Sequence, residues 1–213
     1  MPNVGIFASG HVAASSPIAA TFQQSDIDTA TLSTYTFSAQ PIGAASATRR
    51  VVVGVSRRLP RAINSATIGG VSATIDADAS ASNNRVSLIS AVVPTGTTAT
   101  VTITLQSNAD RCGIGVWTLD GGSPTGAAGD ASGDPANMSV TTIAGDVVIS
   151  CAMINGTGSS FTWSDADERY DQNIETDIYH TGADTTAVGI LTEPSVDVTP
   201  NSTNMVATSA GYR

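Results

Sequence analysis

The chain has 213 residues, of which 41% are hydrophobic, enough for a substantial core and within the size that β-sandwiches and barrels reach as one unit. Only 13% are charged, the net charge is −9, and every basic side chain is an arginine, since lysine is missing altogether. A chain this acidic is repelled by nucleic acid and by anionic membrane surfaces unless a local basic patch dominates, and no run approaches the roughly 18 unbroken apolar residues of a membrane-spanning helix.

Residues 1–33 are rich in Ala, Ser and Thr without a strong period. They read as an N-terminal extended arm or a peripheral strand. Met1–Phe22 does not read as a secretory signal, because a basic n-region is lacking and His11, Ser15, Ser16 and Pro17 interrupt the apolar stretches. The expectation is a protein assembled in a cytoplasm. From Thr34 the pattern changes. Tyr35 and Phe37 alternate with polar neighbours, as a half-buried strand requires. Val51–Val55 is a short continuous apolar run that predicts a central strand, and Gly69-Gly70 predicts a tight turn between two short strands. Arg85–Val93 reads as a strand ended by Pro94 and Gly96. In Thr98–Leu105, Ala99, Val101, Ile103 and Leu105 alternate strictly with threonines, predicting one aliphatic face and one face of hydroxyls. Arg111–Leu119 follows, with Ile114, Val116 and Trp117 as core. Residues 121–135, rich in Gly, Ser, Pro and Asp, read as a long loop. Met138–Ile143 and Asp146–Ile154 read as two strands, 165–175 as a polar acidic stretch, and Ile174–Tyr179, Ala187–Leu191 and Met205–Ala210 as the last strands. No segment carries a helical apolar stripe. The fold class expected is all-β: a jelly-roll-like antiparallel β-sandwich of about ten strands, formed by residues 34–213 as a single domain, with the arm at 1–33.

The succession Tyr35-Thr36-Phe37-Ser38, Ile42-Gly43, Arg49-Arg50-Val51-Val52-Val53-Gly54-Val55, Ala66-Thr67-Ile68-Gly69-Gly70-Val71, Val93-Pro94-Thr95-Gly96-Thr97, Cys112-Gly113-Ile114-Gly115-Val116-Trp117, Phe161-Thr162-Trp163 and Glu168-Arg169-Tyr170-Asp171 resembles small structural proteins encoded among the virion genes of tailed phages and phage-like gene transfer agents of alphaproteobacteria. The resemblance runs over residues 34–213 as many weak motifs, not as one fingerprint. It implies a β-sandwich displayed on a particle as a head decoration, head fibre or tail component. It implies no cofactor and no active site.

The residue constellations are consistent with that implication. A Ser–His–acid site needs a histidine placed to take the nucleophile's proton, and only His11 and His180 exist. No Gly-x-Ser-x-Gly elbow is present, and Gly113-x-Gly115 lacks the third glycine of a dinucleotide fingerprint. These two glycines instead suit a strand closely approached by another backbone. Asp165, Asp167, Glu168 and Asp171 form a solvated acidic turn, or alternatively a calcium site or a carboxylate pair for glycoside hydrolysis. Trp117 reads as core. Trp163, Tyr170 and Tyr179 read as core or as a sugar-stacking platform, with Trp163 beside an exposed turn. Cys112 and Cys151 read as small buried hydrophobes, the alternative being a cross-strand disulfide. Arg57, Arg58 and Arg61 mark the solvated exit of the Val51–Val55 strand, or alternatively dock onto an acidic surface of another virion protein.

Three functions follow as expectations. The first is a non-enzymatic virion structural protein, a capsid decoration, head spike or fibre on the particle surface. It would work by protein–protein assembly with capsid or tail proteins, without nucleic acid or membrane. Its arm would add a strand to a neighbour, and its open edges would favour a homo-oligomer, with a trimer suggested by analogy. The second is a tail-associated or host-glycan receptor-binding module, with contacts at Trp163, Asp165, Asp167 and Glu168 and the 121–135 loop. The third is a polysaccharide-degrading enzyme.

Overall fold

In this computed structural model, residues 18–156, 160–199 and 204–213 are described. Among them the structure is all-β and antiparallel, as the alternation predicts, but the short strands number nineteen where about ten were expected. The first nine are β1 (Ala20–Asp28), β2 (Leu32–Pro41), β3 (Arg49–Arg58), β4 (Ile63–Ile68), β5 (Val71–Ser72), β6 (Thr74–Ala81), β7 (Asn84–Val92), β8 (Thr98–Ala109) and β9 (Arg111–Asp120). They make a five-stranded sheet in the order β1-β9-β3-β7-β6 and a four-stranded sheet in the order β2-β8-β4-β5. The others are β10 (Pro124–Ser132), β11 (Ala136–Asn137), β12 (Val140–Thr141), β13 (Val147–Asn155), β14 (Ser160–Ser164), β15 (Asp167–Glu175), β16 (Ile178–Thr186), β17 (Leu191–Thr192), β18 (Ser195–Thr199) and β19 (Val206–Tyr212). They form a five-stranded sheet, β10-β19-β13-β16-β15, a three-stranded sheet, β11-β18-β14, and the β12-β17 ladder.

Three apolar cores hold these sheets together, so the sandwich principle is used repeatedly along a stack. Side chains alternate across a strand. Val51, Val53 and Val55 of β3 therefore point one way, with Ile89, Ile114 and Val116, toward Tyr35, Val101 and Ile103 of the β2–β8 sheet. Val52 points the other way. With Leu88, Trp117 and Leu119 it packs on Val147, Ile149, Met153 and Tyr212. The continuous apolar run of β3 is thus a strand buried on both faces. The β13–β19 sheet is likewise covered on its far side, where Ala152, Ile154 and Ala207 meet Phe161, Val196 and Val198. In β8 the predicted alternation holds: Ala99, Val101, Ile103 and Leu105 are buried and the threonines lie on the wetter face.

Several segments differ from their sequence reading. Residues 124–132, read as loop, form β10, which pairs with β19 from Ala128↔Ala210 to Ser132↔Val206. A backbone ladder needs no apolar side chains, and small residues are required here because a Cβ at Gly129 would lie 2.7 Å from the Ser139 carbonyl oxygen. Of the two readings of the N-terminal segment, arm or peripheral strand, Ala20–Asp28 takes the second: it is an edge strand on β9, with Phe22 set 5.3 Å from Trp117 and 5.5 Å from Tyr170 between ring centroids. His11 and the rest of 1–17 lie outside the described residues. Cys112 and Cys151 are free and buried in cores on opposite faces of the central sheet, so the cross-strand disulfide is not formed. Burial, foremost among the causes, pushes both thiols up to about 12.

Tyr35 fastens the end of the first sandwich. Its hydroxyl lies 2.9 Å from the Ala30 carbonyl oxygen and 2.8 Å from that of Ala109, tying the β1–β2 turn to the end of β8. Tyr35→Phe keeps the ring and removes the donor to both carbonyls, of which that of Ala109 is buried. It should lower the unfolding free energy by about 1–2 kcal/mol, readable as a shifted urea midpoint at constant slope. An unchanged midpoint would mean that water satisfies these carbonyls equally well.

Candidate interaction surface

Ala187–Leu191, expected as one of the last strands, is mostly the loop between β16 and β17, and only Leu191 lies in a strand. Val188 is 94% exposed and Ile190 80%, with Leu191 and Ile143 about half exposed beside them. The loop backbone is nevertheless pinned. Ala187 N donates to Asp146 O at 2.7 Å, Gly145 N to Ala187 O at 2.9 Å and Thr142 N to Ile190 O at 3.1 Å. The Thr142 hydroxyl donates to Gly189 O at 2.8 Å. Beneath it the buried Asp146 carboxylate accepts two 2.8 Å bonds from Arg213 and one of 2.9 Å from Ile143 N. The Arg213 bonds hold this carboxyl below the usual carboxylate range. The result is a fixed backbone that presents bare aliphatic side chains to solvent.

Next to this corner runs a groove of about 530 Å³, between the β14–β15 turn and the same loop, lined by Asp165, Asp167, Thr185, Thr186, Val188 and Glu193. Asp165 adopts a left-handed φ of 60°, which places it at the tip of the turn. Asp167 is 82% exposed and lies 3.6 Å from Arg169. Arg169 is mainly committed elsewhere, with two 2.7 Å bonds to the buried Asp184 carboxylate. Asp184 also accepts the Trp117 indole N–H at 2.9 Å.

The other predicted site residues are not gathered at the groove. Trp163 is half-buried on the third core, and its indole N–H donates inward to Thr181 Oγ1 at 2.9 Å. Glu168 sits farther along β15, where burial and then the Asp171 charge raise its carboxyl. Asp171 accepts the Phe161 N–H at 3.2 Å. Among the described residues no three carboxylate, histidine or cysteine groups converge as metal ligands.

The arginine cluster is corrected most. Arg57 is not at a solvated exit. It is fully buried, bonded to Arg61 O at 2.6 Å and Ser87 Oγ at 3.0 Å and paired with Asp78 at 3.4 Å. Asp78 is also held by Arg85 and by the Ser87 hydroxyl. Period-2 alternation explains this: Arg57 lies on the face of Val51, Val53 and Val55. Arg58 pairs with Asp110 at 3.7 Å, and the exposed Arg61 donates to Asn108 O at 3.3 Å. Indeed all nine arginines meet internal acceptors: Arg49 five loop carbonyls, Arg50 Gly122 and Ser90, Arg85 Asp78, and Arg111 Glu175, besides those named. Among the described residues every arginine thus has an acceptor within its own fold, and of the three predicted contacts only Arg57 is fully buried.

A second cluster escaped the sequence reading. On the other face of the central sheet, Phe22, Trp117, Tyr170 and His180 pack as a group, with Tyr170 and His180 ring centroids 4.9 Å apart. The rings fill the space left by glycines. A Cβ at Gly113 would meet His180 Cε1 at 2.5 Å, and one at Gly182 would meet Trp117 and Tyr170 at 2.6 Å. It is thus rings, not another backbone, that approach Gly113 and Gly115. His180 is fully buried, its Nε2 3.2 Å from Gln172 Oε1, and burial drives its pKa down to about 3. The unfolded chain binds a proton here below about 6.5 and the folded chain does not until about 3. Stability from this residue is therefore complete above pH 6.5 and falls by about 1.4 kcal/mol per pH unit below it. His180→Phe should flatten the acid limb of stability between pH 6.5 and 4.5. Parallel curves for the two proteins would show that His180 is protonated in the folded state.

No protein-family model, curated protein or solved structure matches this chain.

Proposed function

We propose that the chain is a structural protein of a phage or phage-like particle, a capsid decoration, head spike or fibre that works by protein–protein assembly. The observation that carries this reading is the apolar corner at Val188 and Ile190. A pinned loop that exposes a group of aliphatic side chains, Val188, Ile190 and Leu191 with Ile143 beside them, offers a surface for a partner to cover. The motif pattern over residues 34–213 supports the particle setting. Particles purified from cells that produce them should label with antibody against this chain, and Val188→Ser with Ile190→Ser should reduce incorporation at least several-fold. Unlabelled particles would refute the particle assignment.

The groove favours one rival, a host-glycan receptor module, because its walls combine carboxylates with the Thr185 and Thr186 hydroxyls. Trp163 speaks against it, since it does not line this groove and supplies no stacking face there. Glycan-array binding that Asp165→Asn abolishes would favour the receptor module.

A further inference from the structure

We infer that the corner at Ile143, Val188, Ile190 and Leu191, with its adjoining groove, docks a cationic protein segment whose arginine or lysine side chains flank an aliphatic or aromatic anchor. The inference rests on the assembly reading and names the chemistry of the partner. Two features point to it. The first is the exposed aliphatic set on a hydrogen-bonded loop, whose backbone needs little further ordering when a partner arrives. Aliphatic side chains at the centre of a contact with charges at its rim are how protein interfaces are built.

The second feature is charge. Asp165, Asp167 and Glu193 border the groove. Among the described residues neither Asp165 nor Glu193 forms an ion pair, and the nearby Arg169 is held by the buried Asp184. An anionic rim steers a cationic partner and rejects an anionic one. This also argues against a second copy of the chain as occupant. The net charge is −9, and no arginine lines the groove, so two copies meeting through this corner would bring carboxylates together with no arginine in the contact to offset them.

The test uses the full chain and a synthetic twelve-residue peptide of alternating arginine and leucine, with a glutamate–leucine peptide as its counterpart. Titration followed by amide NMR should move residues 165–167 and 185–193 with the arginine peptide alone. Val188→Ser with Ile190→Ser should weaken binding at least tenfold, and Asp165→Asn with Glu193→Gln several-fold. All four positions are exposed, and these variants should keep the wild-type melting transition. Raising salt from about 50 to 500 mM should weaken wild-type binding several-fold. Equal binding of both peptides, shifts elsewhere on the surface, or an affinity unchanged in the serine variant would overturn the inference. So would concentration-dependent self-association that the serine variant abolishes, since a second copy would then cover the corner. Loss of particle incorporation in the serine variant without any peptide binding would overturn the cationic partner while leaving the assembly reading in place.

Discussion

Gly115→Ala is expected to unfold the protein or to cost about 3 kcal/mol or more, and Gly182→Ala nearly as much. Both glycines face the interior between the central sheet and the β13–β19 sheet, where Tyr170 lies directly against Gly115. An added methyl group there meets the ring at well under van der Waals distance. The ring has nowhere to go. Phe22 and Trp117 flank it at centroid separations of 5.5 and 5.9 Å, and His180 stands at 4.9 Å on another side. Overpacking of a filled core typically costs about 1–3 kcal/mol, and more where backbone must move on both sides. Gly189→Ala is the control, because nothing lies within 4 Å of a Cβ there. Thermal melting of the three variants checks the ordering, and Gly115→Ala combined with Tyr170→Leu should recover part of the loss. A Gly115→Ala protein melting like wild type would mean that the ring is not seated on this glycine.

Arg57→Glu should be as damaging, and Arg61→Glu almost silent. The Arg57 guanidinium is fully buried, and desolvation lowers its pKa to about 10, so it is still charged at neutral pH. It sits between Asp78, Ser87 and the Arg61 carbonyl. Removing one partner of a buried pair costs about 3–5 kcal/mol, and a glutamate would add a second carboxylate to the pocket that Asp78 already occupies. Arg57→Met is milder, since Asp78 keeps Arg85. Arg61 is exposed, and reversal there should change stability by no more than about 0.5 kcal/mol. Urea unfolding followed by circular dichroism separates the cases. Lost particle incorporation by an Arg57→Glu protein would therefore report folding, not docking.

What the sequence reveals here depends on whether a residue's environment lies in its own strand. β8 is legible because Ala99, Val101, Ile103 and Leu105 carry their burial in the alternation, and β3 because a run apolar at every position needs cover on both faces. The same alternation, carried two residues past Val55, places Arg57 inside; the charge at a strand end obscured it. His180 shares a face with the buried Ile178 in the same way. β10 is illegible because Gly, Ala and Ser report what lies against them only through the absence of a side chain. The Val188–Leu191 loop misleads in the opposite sense. Its composition reads as strand, and hydrogen bonds with Asp146, Gly145 and Thr142, more than forty residues earlier, hold it outward. The candidate surface is therefore the least legible part of the molecule.

The doubly covered central sheet has a consequence for how the chain reaches this state. All its strands come from residues 20–120, yet one face waits for β13 and β19. A nascent chain that has emerged only as far as Gly121 can close its first sandwich, but Val52, Leu88, Trp117 and Leu119 remain in water until Tyr212 has left the ribosome. During that interval the half-made protein is sticky along a whole sheet face. Splitting the gene near residue 121 should not yield two soluble halves, and slow translation between residues 121 and 212 would prolong the exposure.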